Sequence, residues 1–125
     1  MSHTIMIVDD ANFMRVTLKN ILAETELEVI AESKNGLEAV EKYKQLEPDI
    51  VTMDITMPEM DGITAAEKIL NYDEEANIII VSAMGQKHIV IDAIELGVSD
   101  FIIKPFRKDK VIKILRDSLD ENLKK

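Results

Sequence analysis

The 125-residue chain sets 24 acidic residues against 15 Lys and Arg, and its net charge of −9 disfavours association with phosphate backbones and anionic lipid surfaces. It has no cysteine, which excludes a disulfide framework and a thiolate metal site. A hydrophobic fraction of 46% with four Gly and three Pro fits one domain over residues 1–125, long enough to bury roughly 65–70% of its unfolded surface. No apolar run approaches a membrane span, and Met1 to Thr4 leads straight into an apolar stretch without a charged flank. A cytoplasmic protein is expected, with no nucleic acid and no membrane among its partners.

Thr4 to Val8 is predicted as a fully buried strand ending at Asp9-Asp10. Asn12 to Thr25 has helical spacing through Met14, Leu18, Ile21 and Leu22, with Phe13 expected to pack at the helix start rather than to serve as a contact near the site. Glu28 to Glu32 is a second strand. After Asn35-Gly36 a helix runs to about Leu46, with Leu37, Val40, Tyr43 and Leu46 expected on its buried face, and Pro48 stops it. Ile50 to Asp54 is the central strand, Ile63 to Asn71 a third helix and Asn77 to Ser82 a fourth strand. Lys87 to Leu96 is a helix ended by Gly97, with Ile89, Val90, Ala93, Ile94 and Leu96 on one arc and Ile91 pointing away. Asp100 to Ile103 is the last strand. The final helix runs from Arg107 or Lys108 to Asn122, with Val111, Ile114, Leu115, Ser118 and Leu119 facing in. This alternation predicts an α/β fold with a five-stranded parallel sheet and helices on both faces.

Four of these strands stop abruptly at polar side chains: Asp9-Asp10, Asp54, Ser82 and Lys104. In an open parallel sheet the strand C-termini form the ligand-binding edge, so three acids, a hydroxyl and an ammonium are expected to converge there. Two like charges about 4 Å apart cost on the order of 4 kcal/mol at an effective dielectric near 20, so a retained cluster points to use. Hard oxygen ligands without His or Cys select Mg²⁺, Mn²⁺ or Ca²⁺. With a cation neutralising charge and Lys104 and Ser82 holding a phosphoryl group, Asp54 has what a phosphoryl acceptor needs. Each residue also has a plainer reading. Asp9-Asp10 suits a helix cap, Asp54 a turn, Ser82 a loop hydrogen bond, Lys104 a solvated strand end and Lys104-Pro105 a turn. The coincidence of four strand ends favours the functional one.

Asp9-Asp10 after the first strand, Asp54 with Met57-Pro58-Glu59-Met60-Asp61-Gly62, Ser82-Ala83 and Lys104-Pro105 together resemble the receiver domain of two-component response regulators. The resemblance covers the whole chain. It is nearest to the single-domain chemotaxis regulators without an output domain, of the thermophilic, Gram-positive or archaeal kind, through Val8 to Arg15 and Ser82 to Gln86. It implies the flavodoxin-like, doubly wound strand order 2-1-3-4-5. It further implies that Asp54 takes phosphate from a CheA-type histidine kinase, while Asp9, Asp10, Asp54 and the Thr56 main-chain carbonyl place Mg²⁺, with Mn²⁺ as substitute. Ser82 and Lys104 contact the incoming oxygens, assisted by the Thr56 and Ala83 amides, and Pro105 orients the lysine. Phe101 is the switch aromatic, which also reads as a core residue of the fifth strand; a Phe where Tyr is common removes a hydroxyl from the partner surface.

Thr56 and Met84 occupy the positions that tune hydrolysis of the acyl phosphate. The output face is the fourth helix, fifth strand and fifth helix, including Ile91, Phe101 and the basic run Arg107 to Lys113, and its targets are a flagellar motor switch or archaellar adaptor protein, with a phosphatase as a further partner. The alternative within the family is a phosphorelay intermediate. A Mg²⁺-dependent phosphohydrolase would usually carry a second Asp where Thr56 stands, and in a flavin carrier Asp9-Asp10 would repel the cofactor's phosphate. Asp61 reads as a cap or loop residue of the third helix.

Overall fold

Continuous apolar runs make buried strands and amphipathic segments make covering helices, and the chain alternates between the two throughout. The computed structural model describes residues 3–124, with side chains through residue 120. Its elements are β1 (His3–Val8), α1 (Asn12–Leu22), β2 (Leu27–Ser33), α2 (Gly36–Leu46), β3 (Ile50–Asp54), α3 (Gly62–Tyr72), β4 (Ile78–Ala83), α4 (Lys87–Leu96), β5 (Asp100–Lys104) and α5 (Lys108–Lys124). All pairings are parallel and the order is β2-β1-β3-β4-β5, the expected doubly wound sheet.

Alternate residues of the strands feed two cores. On one face Met6, Val8, Val51, Met53, Ile78 and Ile80 pack with Tyr43, Ile69, Val90 and Ala93, which come from α2, α3 and α4. On the other, Ile5, Ile7, Ile50, Ile79, Val81 and Ile102 pack with Leu18 and Leu22 of α1 and Val111 and Leu115 of α5. Strands buried on both faces have no polar side to display, which is why they read as uninterrupted apolar runs. Ser118, the one polar residue expected to face inward on α5, is buried and accepts a hydrogen bond from the Asn77 side-chain amide at 3.2 Å.

Several expected helix faces are corrected. On α2, Val40 and Tyr43 are buried as expected, but Leu37 and Leu46 are each 47% exposed and Ala39 is buried in their stead. Steps of three rotate by about 300°, so nine residues carry the stripe to the opposite side of the helix. On α4 only Val90 and Ala93 are buried and Ile89 partly so, while Ile94 and Leu96 are exposed together with Ile91. The helix contacts the sheet along a narrower line than its apolar arc. Phe13 is 76% exposed rather than packed, because it lies about 180° around α1 from Leu22. Helix α1 also ends at Leu22, three residues early, where the Thr25 hydroxyl donates to the Leu22 carbonyl and accepts from Leu27 N–H.

Candidate functional site

The central strand β3 carries Asp54 to its last position, and β1 beside it ends one residue before Asp9. Carboxylate oxygens of Asp9, Asp10 and Asp54 all lie within 4.8 Å of one another. Asp9 and Asp54 are buried and Asp10 is exposed, so the cluster opens to solvent on one side. Lys104, at the end of β5, reaches between them, its Nζ 3.3 Å from Asp9 Oδ2 and 3.4 Å from Asp54 Oδ1. Three carboxylates facing one ammonium leave an uncompensated negative pocket, and its hard oxygen donors, without His or Cys, fit a divalent cation such as Mg²⁺.

Burial first, and then the Asp9 carboxylate, push the Asp54 carboxyl up to about 6, against the opposing pull of Lys104 and of the Ile55 N–H that Asp54 accepts at 3.0 Å. Neither Asp9 nor Asp10 supplies a side-chain cap to α1: Asp9 Oδ1 accepts from Ala11 N–H at 2.9 Å, and the N-cap is Ala11 itself. Asp61 does act as a cap, accepting from Thr64 N–H at 2.8 Å, and so belongs to α3 rather than to the acidic cluster.

Register places the remaining candidates. Asp54 pairs with Val81, so Ser82 follows one residue beyond that level, buried. Ala83 pairs directly with Lys104 and is exposed. Thr56, two residues past Asp54, is exposed on the β3–α3 loop, and Met84 is 76% exposed on the β4–α4 loop. Phe101 is half-buried against the α2–α3–α4 core, and Pro105 is exposed after a cis Lys104–Pro105 bond.

Arg15 and Gln86 support the site in ways the sequence did not suggest, and Gly62, read there only as part of the loop after Asp54, does so as well. Arg15 donates to the Asp9 carbonyl at 2.6 Å while its Nε pairs with Glu32 at 3.1 Å, tying the acidic turn to β2. A hydrogen bond from Lys19, with Arg15 adding to it, holds the Glu32 carboxyl below its usual range. Gly62 N–H donates to the Ile55 carbonyl at 2.8 Å, and a Cβ at Gly62 would lie 1.9 Å from the Asp54 carbonyl oxygen, so only Gly lets α3 start against the strand end. Gln86 joins the β4–α4 loop to Thr56. The sequence signals were slight: an Arg at the first turn of α1 and a Gly directly after the Asp61 cap.

The profile of the response regulator receiver domain matches residues 5–116. The chain is 57% identical to the chemotaxis protein CheY of Bacillus subtilis over 96% of this chain and 100% of that protein. It is 56% identical to the CheY of Thermotoga maritima over 92% and 96% of the two chains. The CheX–CheY–BeF₃–Mg complex from Borrelia burgdorferi contains a similar fold, with a TM-score of 0.90 and 38% identity over 94% of this chain and 89% of that one. With a profile match through all five strands, these relatives over nearly its full length and the expected strand order, the chain belongs to the response regulator receiver domain family.

Proposed function

We propose that this chain is the phosphoacceptor switch of a two-component chemotaxis pathway, working in the cytoplasm as a single receiver domain, with Asp54 accepting a phosphoryl group from a CheA-type histidine kinase. The observation that carries the reading is a buried carboxylate at the end of the central strand, beside two further acids and one bridging ammonium. In the transfer, an Asp54 oxygen forms a bond to phosphorus while the phosphorus–nitrogen bond of the donor phosphohistidine breaks. The departing imidazole keeps the electron pair and takes up a proton.

Lys104, already between Asp9 and Asp54, exchanges its contact with Asp54 for the new phosphoryl oxygens. Ser82 and the amides of Thr56 and Ala83 donate to those oxygens, and Pro105 fixes the path of the chain after Lys104. Asp9, Asp10, Asp54 and the Thr56 carbonyl would hold Mg²⁺ or Mn²⁺. Such a cation offsets charge on the phosphoryl oxygens. Closure of Ser82 on the phosphoryl group draws Phe101 inward and alters the face formed by α4, β5 and α5, where Ile91, Ile94 and Ile103 are exposed. That face meets a flagellar motor switch or archaellar adaptor protein, and a phosphatase resets the switch.

Two expected results follow from the same residues. Saturating Mg²⁺ raises the melting temperature, since at 100 times its Kd a ligand adds about 2.7 kcal/mol to the folded state. An unchanged midpoint contradicts the metal site. Thr56 and Met84 carry neither a carboxylate nor an amide to position water, so purified phosphoprotein keeps its label for long periods without a phosphatase. Rapid loss of ³²P counts against this. The chemotaxis role is tested by charging the protein with acetyl phosphate and Mg²⁺ and measuring binding to a motor component. Unchanged motor binding, together with transfer to a histidine protein, identifies a phosphorelay intermediate instead.

A further inference from the structure

The β4–α4 loop turns through Gly85, whose φ of +93° lies in the left-handed region with open space around the residue. The turn folds the next side chain back over the loop. Gln86 Oε1 accepts a hydrogen bond from Ala83 N–H at 2.7 Å, and Gln86 Nε2 donates to Thr56 Oγ1 at 3.4 Å. One carboxamide therefore spans the two loops that flank Asp54. Ala83 lies two residues beyond Val81, the partner of Asp54, and is paired with Lys104, while Thr56 lies two residues beyond Asp54. Gln86 thus bridges residues at the level where a group attached to Asp54 would extend from the sheet.

We propose that Gln86 is a positioning residue that occupies the Ala83 amide in the resting protein and has to release it before a phosphoryl oxygen can bind there. This rests on the phosphoacceptor reading of Asp54. A backbone amide has one proton, and a good hydrogen bond at 2.7 Å leaves none for a second acceptor in line. The Gln86 carbonyl oxygen stands in for the phosphoryl oxygen, keeping the loop ordered and the amide paired. Phosphorylation exchanges one acceptor for another and breaks the Gln86 link to Thr56. The resting state is thereby favoured, and charging is opposed by the strength of one hydrogen bond.

The test uses the whole chain with Mg²⁺ and beryllofluoride, a mimic of the acyl phosphate. Gln86→Met keeps the length and bulk of the side chain without the acceptor, and Gln86→Ala removes both. Each variant is expected to bind beryllofluoride about two- to tenfold more tightly than the wild-type protein, the equivalent of one net intramolecular hydrogen bond. A loop merely loosened by the loss of Gln86 could also bind more tightly, so the Ala83 amide itself is followed. Amide exchange gives a second readout: Ala83 N–H is slow in the resting wild-type protein and fast in both variants, beryllofluoride slows it again, and Ile80 N–H in β4 is unchanged. If the wild-type protein binds beryllofluoride and the variants bind it equally or less tightly, or if Ala83 N–H exchanges at the same rate in all three, the Gln86 role is overturned while the phosphoacceptor reading stands. If the wild-type protein binds no beryllofluoride in Mg²⁺, the phosphoacceptor reading fails and the competition fails with it.

Discussion

Gly62→Ala is expected to lower stability by about 3 kcal/mol, or on the order of 10 °C in melting temperature for a domain of this size. The added Cβ would lie 1.9 Å from the Asp54 carbonyl oxygen, 2.8 Å from its carbonyl carbon and 3.0 Å from Ile55 Cα. All three are backbone atoms, so no rotamer change relieves the contact. Either α3 moves off the strand end or β3 shifts, and both break the Gly62 N–H bond to Ile55. Because the atom displaced belongs to Asp54, the variant also loses phosphoryl acceptance. Gly85→Ala provides the contrast. Its Cβ meets nothing within 4 Å, and only the left-handed φ resists it, at roughly 1–2 kcal/mol. Thermal melts of the two variants check the ranking; a Gly62→Ala melting temperature within a few degrees of wild type refutes the close approach.

Asp54→Asn is expected to abolish labelling by acetyl phosphate and, in the absence of divalent metal, to make the protein more stable. At pH 7 the folded state holds the Asp54 carboxylate ionised against burial and against Asp9, which is why its pKa is raised from 3.8 to about 6. A carboxyl raised on folding binds protons more readily in the native state, so its unfavourable contribution is full above about pH 6 and fades as pH falls towards its unfolded value. Two units correspond to on the order of 2–3 kcal/mol. Metal-free wild-type protein should therefore gain stability relative to Asp54→Asn between pH 7 and pH 4. Chemical denaturation of both proteins across that range, in EDTA, measures the difference. A wild type that loses ground to the variant as pH falls contradicts the assignment.

The strand ends were legible because parallel strands buried on both faces allow few polar residues, so a run such as Ile5 to Val8 can end only where the sheet does. Asp9, Asp10, Asp54, Ser82 and Lys104 fell out of that rule, and the structure brings the three acids and the lysine together. Helix faces were less legible. A three-residue step appears periodic in sequence yet drifts around the helix, which misplaced Leu37 and Leu46. The broad apolar arc of α4 says where it can pack, not how closely the sheet approaches. Phe13 was misread because a large aromatic at a helix start suggests packing, whereas the direction of its Cβ decides. The close approach at Gly62, whose place in the loop was legible, and the reach of Gln86 were hidden for another reason. The role of each depends on an approach between segments, α3 against the β3 carbonyl and the Gln86 side chain against Ala83, that follows only from the path of a loop.

The most direct test of the site is to find where the phosphoryl group goes. Wild-type protein treated with acetyl phosphate and Mg²⁺, reduced with borohydride and digested, should yield homoserine at position 54 by tandem mass spectrometry, with Asp9 and Asp10 unmodified. Label on Ser82 or His88, or label at position 54 that forms equally well in EDTA, would contradict an Asp54 acceptor working within a metal-binding acidic pocket.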